Sequence, residues 1–351
     1  MALLWFCSIG CKIVFFPPFP VLLFAYLFHL YFKAHLLVSP LIMNEAGIDW
    51  FTVIGALVFY LVILVIGIVA SRRKVRGSNV AIDQTAAETV IVGHRDFGWF
   101  IGICTMAATW IGGGAISGSS ERAFTSGMLS GAVIPIGYAF SLLLGGLIFA
   151  EKMRAANYIT SLEPYQIKYG KKLGIIFVTP AFVSEVICVG IVLTSLGSTL
   201  QVVTNIGANL SAIVSALVAV SYTLCGGIFS VAYTDIVQLA FMVFGVIIAI
   251  PFALNNEAAG SLSENPADWI FGQNEHANAY DMSEIYSDID TILSLAIGGI
   301  TWQCYFQRVL SARSPKVAKF LSIWGFVFCV AFAFPPLFIG AIARTAGKSN
   351  H

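Results

Sequence analysis

Charge is what this sequence has least of. Only 11% of its 351 residues are Asp, Glu, Lys or Arg, against roughly a quarter in a soluble domain. From Leu173 to Gln307 there is not one Lys or Arg. The net charge is +1, which argues against nucleic acid as a partner. The five histidines, His29, His35, His94, His276 and His351, have neither metal-ligand spacing nor a nucleophile beside them, so nothing supports an enzyme. The cysteines build no disulfide framework: Cys104, Cys188, Cys225, Cys304 and Cys329 fall in apolar stretches, where they act as small apolar side chains. The glycine runs lack the Gly-Lys-Ser/Thr ending and the preceding strand of a phosphate loop.

What is there is apolar. Hydrophobic residues make up 58% of the chain, and the mean hydropathy is +0.87. Stretches long enough to cross a hydrocarbon core of about 30 Å are expected at Ile48–Ala70, Gly98–Ala123, Gly127–Ala150, Leu173–Thr199, Leu210–Cys225, Ile236–Leu254, Ile289–Leu310 and Ala318–Ala343. The chain therefore reads as an all-α polytopic membrane protein whose surroundings are a lipid bilayer.

The few charges orient it. Arg72, Arg73, Lys74 and Arg76 follow the first span; Lys152, Arg154, Lys168, Lys171 and Lys172 follow the third; Arg308, Arg313, Lys316 and Lys319 follow the seventh. The connection from Asn255 to Ser287 is acidic, with Glu257, Glu264, Asp268, Glu275, Asp281 and Glu284. Excess Lys and Arg mark cytoplasmic loops, so the acidic connection lies outside. Arg344 and Lys348 are a small exception on the outer side. The loop Lys152–Lys172 is expected to hold a short amphipathic helix with solvated or lipid-facing charges.

Inside the second span stands Thr105-Met106-Ala107-Ala108-Thr109-Trp110-Ile111-Gly112-Gly113-Gly114. Glycine costs about 1 kcal/mol per residue inside a helix, so Gly112, Gly113 and Gly114 predict a helix break. The competing reading is a close crossing of helices on small residues. In lipid, freed backbone groups are tolerated only where they line a cavity or bind something, and secondary transporters hold ions and substrate at such breaks.

Two ends stand apart. Residues 1–42 are apolar but interrupted by Phe16-Pro17-Pro18-Phe19-Pro20. They read as an atypical extension before a working start at Met43, with an additional span or a signal sequence as alternatives; residues 43–351 form the transmembrane domain.

Several motifs, in order, resemble the sodium:solute symporter family, and within it the choline-type branch. They are Val92-Gly93-His94-Arg95-Asp96-Phe97-Gly98, the Thr105–Gly114 segment, Pro135-Ile136-Gly137-Tyr138, Glu163-Pro164-Tyr165-Gln166, Tyr169-Gly170-Lys171, the run Gly226–Gln238 with Tyr233-Thr234-Asp235, and the run Gly298–Ser311 with Trp302-Gln303-Cys304-Tyr305-Phe306-Gln307-Arg308. The resemblance covers about Met43 to Ala343. It implies a five-plus-five inverted-repeat fold with an extra leading helix. The second repeat begins at the seventh span and is incomplete here, so the chain is expected to be truncated.

The resemblance also implies a site. Choline is a quaternary ammonium with no N–H to donate, so aromatic faces attract it, each worth about 0.5–2 kcal/mol. Trp110, Tyr138 and Trp302 match the cage aromatics; taken singly, each reads equally as packing or an interfacial anchor. Cys188 stands where the choline-type pattern has a further aromatic, and the turn Ala115–Ser119 is smaller than that pattern. Both leave room for another small cation, or for choline bound weakly. Sodium is implied at the backbone carbonyls of Ala108 and Ile111, with side-chain hydroxyls on a helix beyond His351. Chloride dependence belongs to the branch, with no residue here to carry it.

Two membrane carboxylates need a reason, since an ionised one at mid-span costs about 2.5–3.5 kcal/mol. Asp235 is expected to open the sixth span, either in coupling or gating, or as a helix cap with Thr234. Glu185 is expected protonated or facing the pathway. The function implied is sodium-coupled import of choline or a related small organic cation. The location is a multi-pass position in the plasma membrane, presynaptic by resemblance, with homo-oligomer formation open. Two alternatives are kept. One is a non-transporting or truncated isoform that senses ligand or regulates a full-length partner. The other is a carrier of a sugar or carboxylate, against which the polar-poor aromatic set argues.

Overall fold

The computed structural model describes residues 50–77, 86–204, 206–255, 266–272 and 282–346. These are almost entirely helical. In chain order the helices are α1 (Trp50–Gly77), α2 (Ala86–Val92), α3 (Trp99–Trp110), α4 (Gly113–Ser126), α5 (Met128–Gly145), α6 (Glu151–Ala155), α7 (Glu163–Thr204), α8 (Ala208–Leu254), α9 (Pro266–Phe271), α10 (Met282–Ile300), α11 (Gln303–Leu310) and α12 (Pro315–Ala346). A π-helical turn, Gly146–Ala150, joins α5 to α6 without a break. Among the described residues, five helices are long and apolar enough to cross a membrane, and the bent pair α3–α4 makes a sixth. The two remaining expected spans fall short for visible reasons. Ala208–Ser221 is a shorter apolar helix, and α10 carries Glu284, Asp288 and Asp290 in its first half.

The helices form two compact units. Of the described residues, one holds those up to Asp96 and those from Tyr158 to Asp235; the other holds Phe97–Asn157 and those from Ile236 onward. In the first unit, α1 presents Ile54, Leu57, Val58, Leu61 and Val65 outward and buries Val53, Ile63 and Ala70. An apolar outer face is what lipid contact requires, because the helix satisfies its own backbone. The Tyr60 hydroxyl meets Ser215 Oγ at 2.6 Å, tying α1 to α8. Residues 1–42 and the proposed start at Met43 lie outside the described residues.

Several expected boundaries move. The run Gly226–Gln238, expected to join two spans, is helical, and α8 continues through it with one break at Gly227. Gly227 has φ +54°, and a β-carbon there would come within 2.9 Å of the Val90 carbonyl. Only glycine fits, by backbone angle and by space. Asp235 consequently lies about two turns past the break, fully buried, and does not open a helix. Thr234 does not cap one either: its hydroxyl donates back to the Val231 carbonyl at 2.8 Å. In α7 the break is at Gly170, with φ +82°. The helical stretch from Glu163 to that break is the short helix expected in the Lys152–Lys172 loop.

In the second unit, α12 packs along α3, α4 and α5, and α10 packs on α5. Phe97 pairs with Ala312 through Phe97 N–H to the Ser311 carbonyl (3.1 Å) and Arg313 N–H to the Phe97 carbonyl (2.9 Å). Buried Arg154 clamps the same corner, donating to the Ala312 carbonyl at 2.6 Å. Arg344, the exception to the charge asymmetry, is a structural knot. It donates to Asp268 at 3.0 Å and to the carbonyls of Phe124, Thr125 and Gly272. Arg and Asp are both buried there, so this charge is matched inside the fold by a carboxylate of the acidic connection. Arg308, grouped with the loop charges by sequence, is also buried, on α11.

Candidate functional site

The second span breaks where the glycines stand, but by a narrower margin than their number implies. Helix α3 ends at Trp110; Ile111 N–H still bonds the Ala107 carbonyl at 2.9 Å. Gly112 is extended (φ −78°, ψ 167°), a conformation open to any residue. Gly113 and Gly114 already belong to the first turn of α4. Only Gly112 of the three is therefore in the break, and the two helices meet at a bend of 46°.

Breaking the ladder there frees backbone oxygens. The first bond beyond the break runs from Ile116 N–H to the Gly112 carbonyl at 3.0 Å. Among the described residues, no backbone N–H reaches the carbonyl of Ala108 or of Ile111. Both residues are buried. An unpaired carbonyl away from water costs free energy, and hard cations take carbonyl oxygens as ligands. The two carbonyls named for sodium are thus chemically suited to hold it.

The seventh span is broken as well. Within the expected span Ile289–Leu310, just after the Gly298-Gly299 pair, α10 stops at Ile300 and α11 begins at Gln303. Trp302 occupies the joint in an extended conformation (φ −65°, ψ 127°), and its N–H turns back to the Gly299 carbonyl at 3.2 Å. The Gly298-Gly299 pair lowers the cost of stopping the helix there.

Both breaks deliver an indole to one place. Trp110 meets Trp302 with ring centroids 5.1 Å apart and planes at 84°. It meets Tyr138, from the middle of α5, at 5.2 Å and 70°. Edge-to-face contacts of this kind put a positive ring edge on a negative ring face. Trp110 is only 2% exposed. Trp110 therefore touches both of the other aromatics singled out by sequence. Packed this closely, they leave no gap for a trimethylammonium group between them, so a cation must part the rings or lie on their outer faces.

A fourth ring was missed. Tyr305 stands 6.3 Å from Trp110 at 70°, with its hydroxyl 2.8 Å from Ser322 Oγ. It follows Trp302 by three residues, the spacing that puts two side chains on one helix face; that signal was present, but only once a helix start at Gln303 is known. Gly299 was also under-read. A β-carbon there would run into Ser141 Oγ and come within 2.9 Å of Trp110 Cη2, so its missing side chain is the space the Trp110 ring uses.

The remaining expected residues belong to the first unit or its end. Glu185 is buried on α7. Cys188, one turn on, is half-buried and lines an apolar groove with Thr179, Pro180, Val183, Ser184 and Ile187. Asp235 is buried on α8.

The sequence profile of the sodium:solute symporter family matches residues 90–347. The chain is similar to the high affinity choline transporter 1 of Homo sapiens, 42% identical over 293 residues, covering 83% of this chain and 50% of the relative. It is 43% identical over 302 residues to the Drosophila melanogaster high-affinity choline transporter 1, covering 86% of this chain and 46% of that one. The Caenorhabditis elegans protein of the same name is 41% identical over 297 residues, covering 84% and 50%. The chain spans about half the length of the curated relatives it matches. By name, the family and these relatives are symporters and transporters, not enzymes.

Proposed function

The chain belongs to the sodium:solute symporter family, and from that premise we propose that it serves as a sodium-coupled secondary carrier. Its substrate is choline or a related small organic cation, imported across the plasma membrane by alternating access. The observation that carries this reading is the meeting of Trp110, Tyr138 and Trp302 at two broken helices. A quaternary ammonium offers no N–H, and ring faces in a dry site are what binds it. A sugar or carboxylate carrier needs directional hydrogen bonds that three aromatic rings do not supply.

Sodium is co-transported at the Ala108 and Ile111 carbonyls, within two residues of Trp110 along the chain. Its inward gradient and the membrane potential, worth about 2.3 kcal/mol per charge per 100 mV, drive uptake. The joints at Ile111–Gly112 and Thr301–Trp302 are where the cage opens, since each is next to or holds a cage ring. Asp235 and Glu185 serve in coupling or gating.

The test is uptake of labelled choline by cells expressing this chain, alone and joined to the segment of the human relative that it does not match. Saturable uptake that stops when sodium is replaced supports the reading. No uptake by either form, with both at the cell surface, overturns it.

A further inference from the structure

The aromatic cluster reads a positive charge but has no means of reading what else the substrate carries. Two atoms beside it have unused hydrogen-bonding capacity. Ser141 is fully buried, and among the described residues its hydroxyl has no hydrogen-bond partner; neither has the indole N–H of Trp110. Buried polar groups are nearly always paired, and an exception calls for a reason.

Ser141 is unusual for its setting. Hydroxyls on these helices generally donate to their own backbone one turn back: Thr109 to the Thr105 carbonyl, Ser215 to Ser211, Thr194 to Gly190, Ser322 to Ala318, Ser311 to Gln307. Ser141 makes no such bond. Its Oγ and Trp110 Cη2 both lie within 3.0 Å of the point where a Gly299 β-carbon would stand, so the hydroxyl and the edge of the Trp110 ring border the same space that Gly299 leaves clear. Ser141 also follows Tyr138 by three residues on α5. That is a rise of about 4.5 Å at 1.5 Å per residue, the scale of a two-carbon arm ending in a hydroxyl.

We propose that Ser141 is the specificity-determining residue that hydrogen-bonds the hydroxyl of the substrate, so that the site selects hydroxylated quaternary amines over alkyl ones. The inference rests on the cation-cage reading above and adds the polar end of that site. A hydroxyl both donates and accepts, so Ser141 pairs with an alcohol in either sense. An analogue with a methyl in its place leaves the serine unpaired, and sites built around a substrate hydroxyl reject such analogues strongly.

The experiment measures binding of choline and of propyltrimethylammonium, in which a methyl replaces the hydroxyl, to the purified full chain in lipid nanodiscs with sodium. Wild type, Ser141→Ala, Ser141→Cys and Trp110→Ala are compared. The expected result is that wild type prefers choline by about tenfold or more. Ser141→Ala brings the two ligands within about threefold by weakening choline alone, Ser141→Cys falls between, and Trp110→Ala weakens both alike. An unchanged preference in Ser141→Ala and Ser141→Cys, with choline still bound, overturns the role of Ser141 and leaves the cage intact. A wild-type chain that binds neither ligand overturns the cage reading itself, and the Ser141 role with it.

Discussion

The indole of Trp302 stands edge-on to that of Trp110, their centroids 5.1 Å apart at 84°, although each comes from a different broken helix. The two breaks thus converge on one contact. Displacing either ring alters the surroundings of the other.

Trp110→Ala is expected to reduce choline binding several-fold more than Trp110→Phe. Phenylalanine keeps a ring face for the cation, worth about 0.5–2 kcal/mol, and keeps edge-to-face partners for Tyr138 and Trp302. Alanine removes these and opens a cavity costing about 3–5 kcal/mol of stability. Binding isotherms on protein that remains monodisperse check this; equal losses in the two variants count against a cation cage.

Gly299→Ala and Gly298→Ala form a matched pair. A β-carbon at Gly299 collides with Ser141 and Trp110, whereas one at Gly298 meets nothing within 4 Å. Overpacking of this kind costs about 1–3 kcal/mol, so Gly299→Ala should lower the melting temperature and impair choline binding. Gly298→Ala should be neutral or slightly stabilising, since alanine favours the helix. Thermal unfolding in detergent, followed by Trp fluorescence, separates the two.

The Arg344–Asp268 pair predicts a non-additive pattern. Each partner is buried, so Asp268→Asn strands a guanidinium and should cost about 3–5 kcal/mol. The double variant Asp268→Leu with Arg344→Met should recover much of that loss. By contrast Lys319 and Glu151, 3.9 Å apart and both exposed, should contribute no more than about 1 kcal/mol, seen as little change in Glu151→Gln. Melting temperatures of the four proteins decide; a double variant as unstable as Asp268→Asn would contradict the argument.

The break after Trp110 was legible because its signal is local: glycines in an apolar helix weaken it wherever the helix sits. The break at Trp302 was less so. Its two glycines precede the joint by three and four residues, and an apolar run on either side reads as one span. Asp235 was misplaced for the opposite reason. Glycine at 226 and 227 predicts a loop, yet helix resumes at once after a single residue with positive φ. Tyr305 escaped notice because its helix register depends on where α11 starts. Ser141 escaped because a serine in a membrane helix ordinarily bonds its own backbone, and only its neighbours show that this one does not.

By itself the sequence determined that the chain is a membrane protein and that one span is interrupted, because hydropathy and glycine act through the nearest residues. It also carried the family, through ordered motifs. Only the tertiary structure decided which rings touch, which carbonyls are left without partners, and that Arg344 is matched by Asp268 rather than by water. These depend on residues far apart in the chain being brought within a few ångströms, and no local preference specifies that.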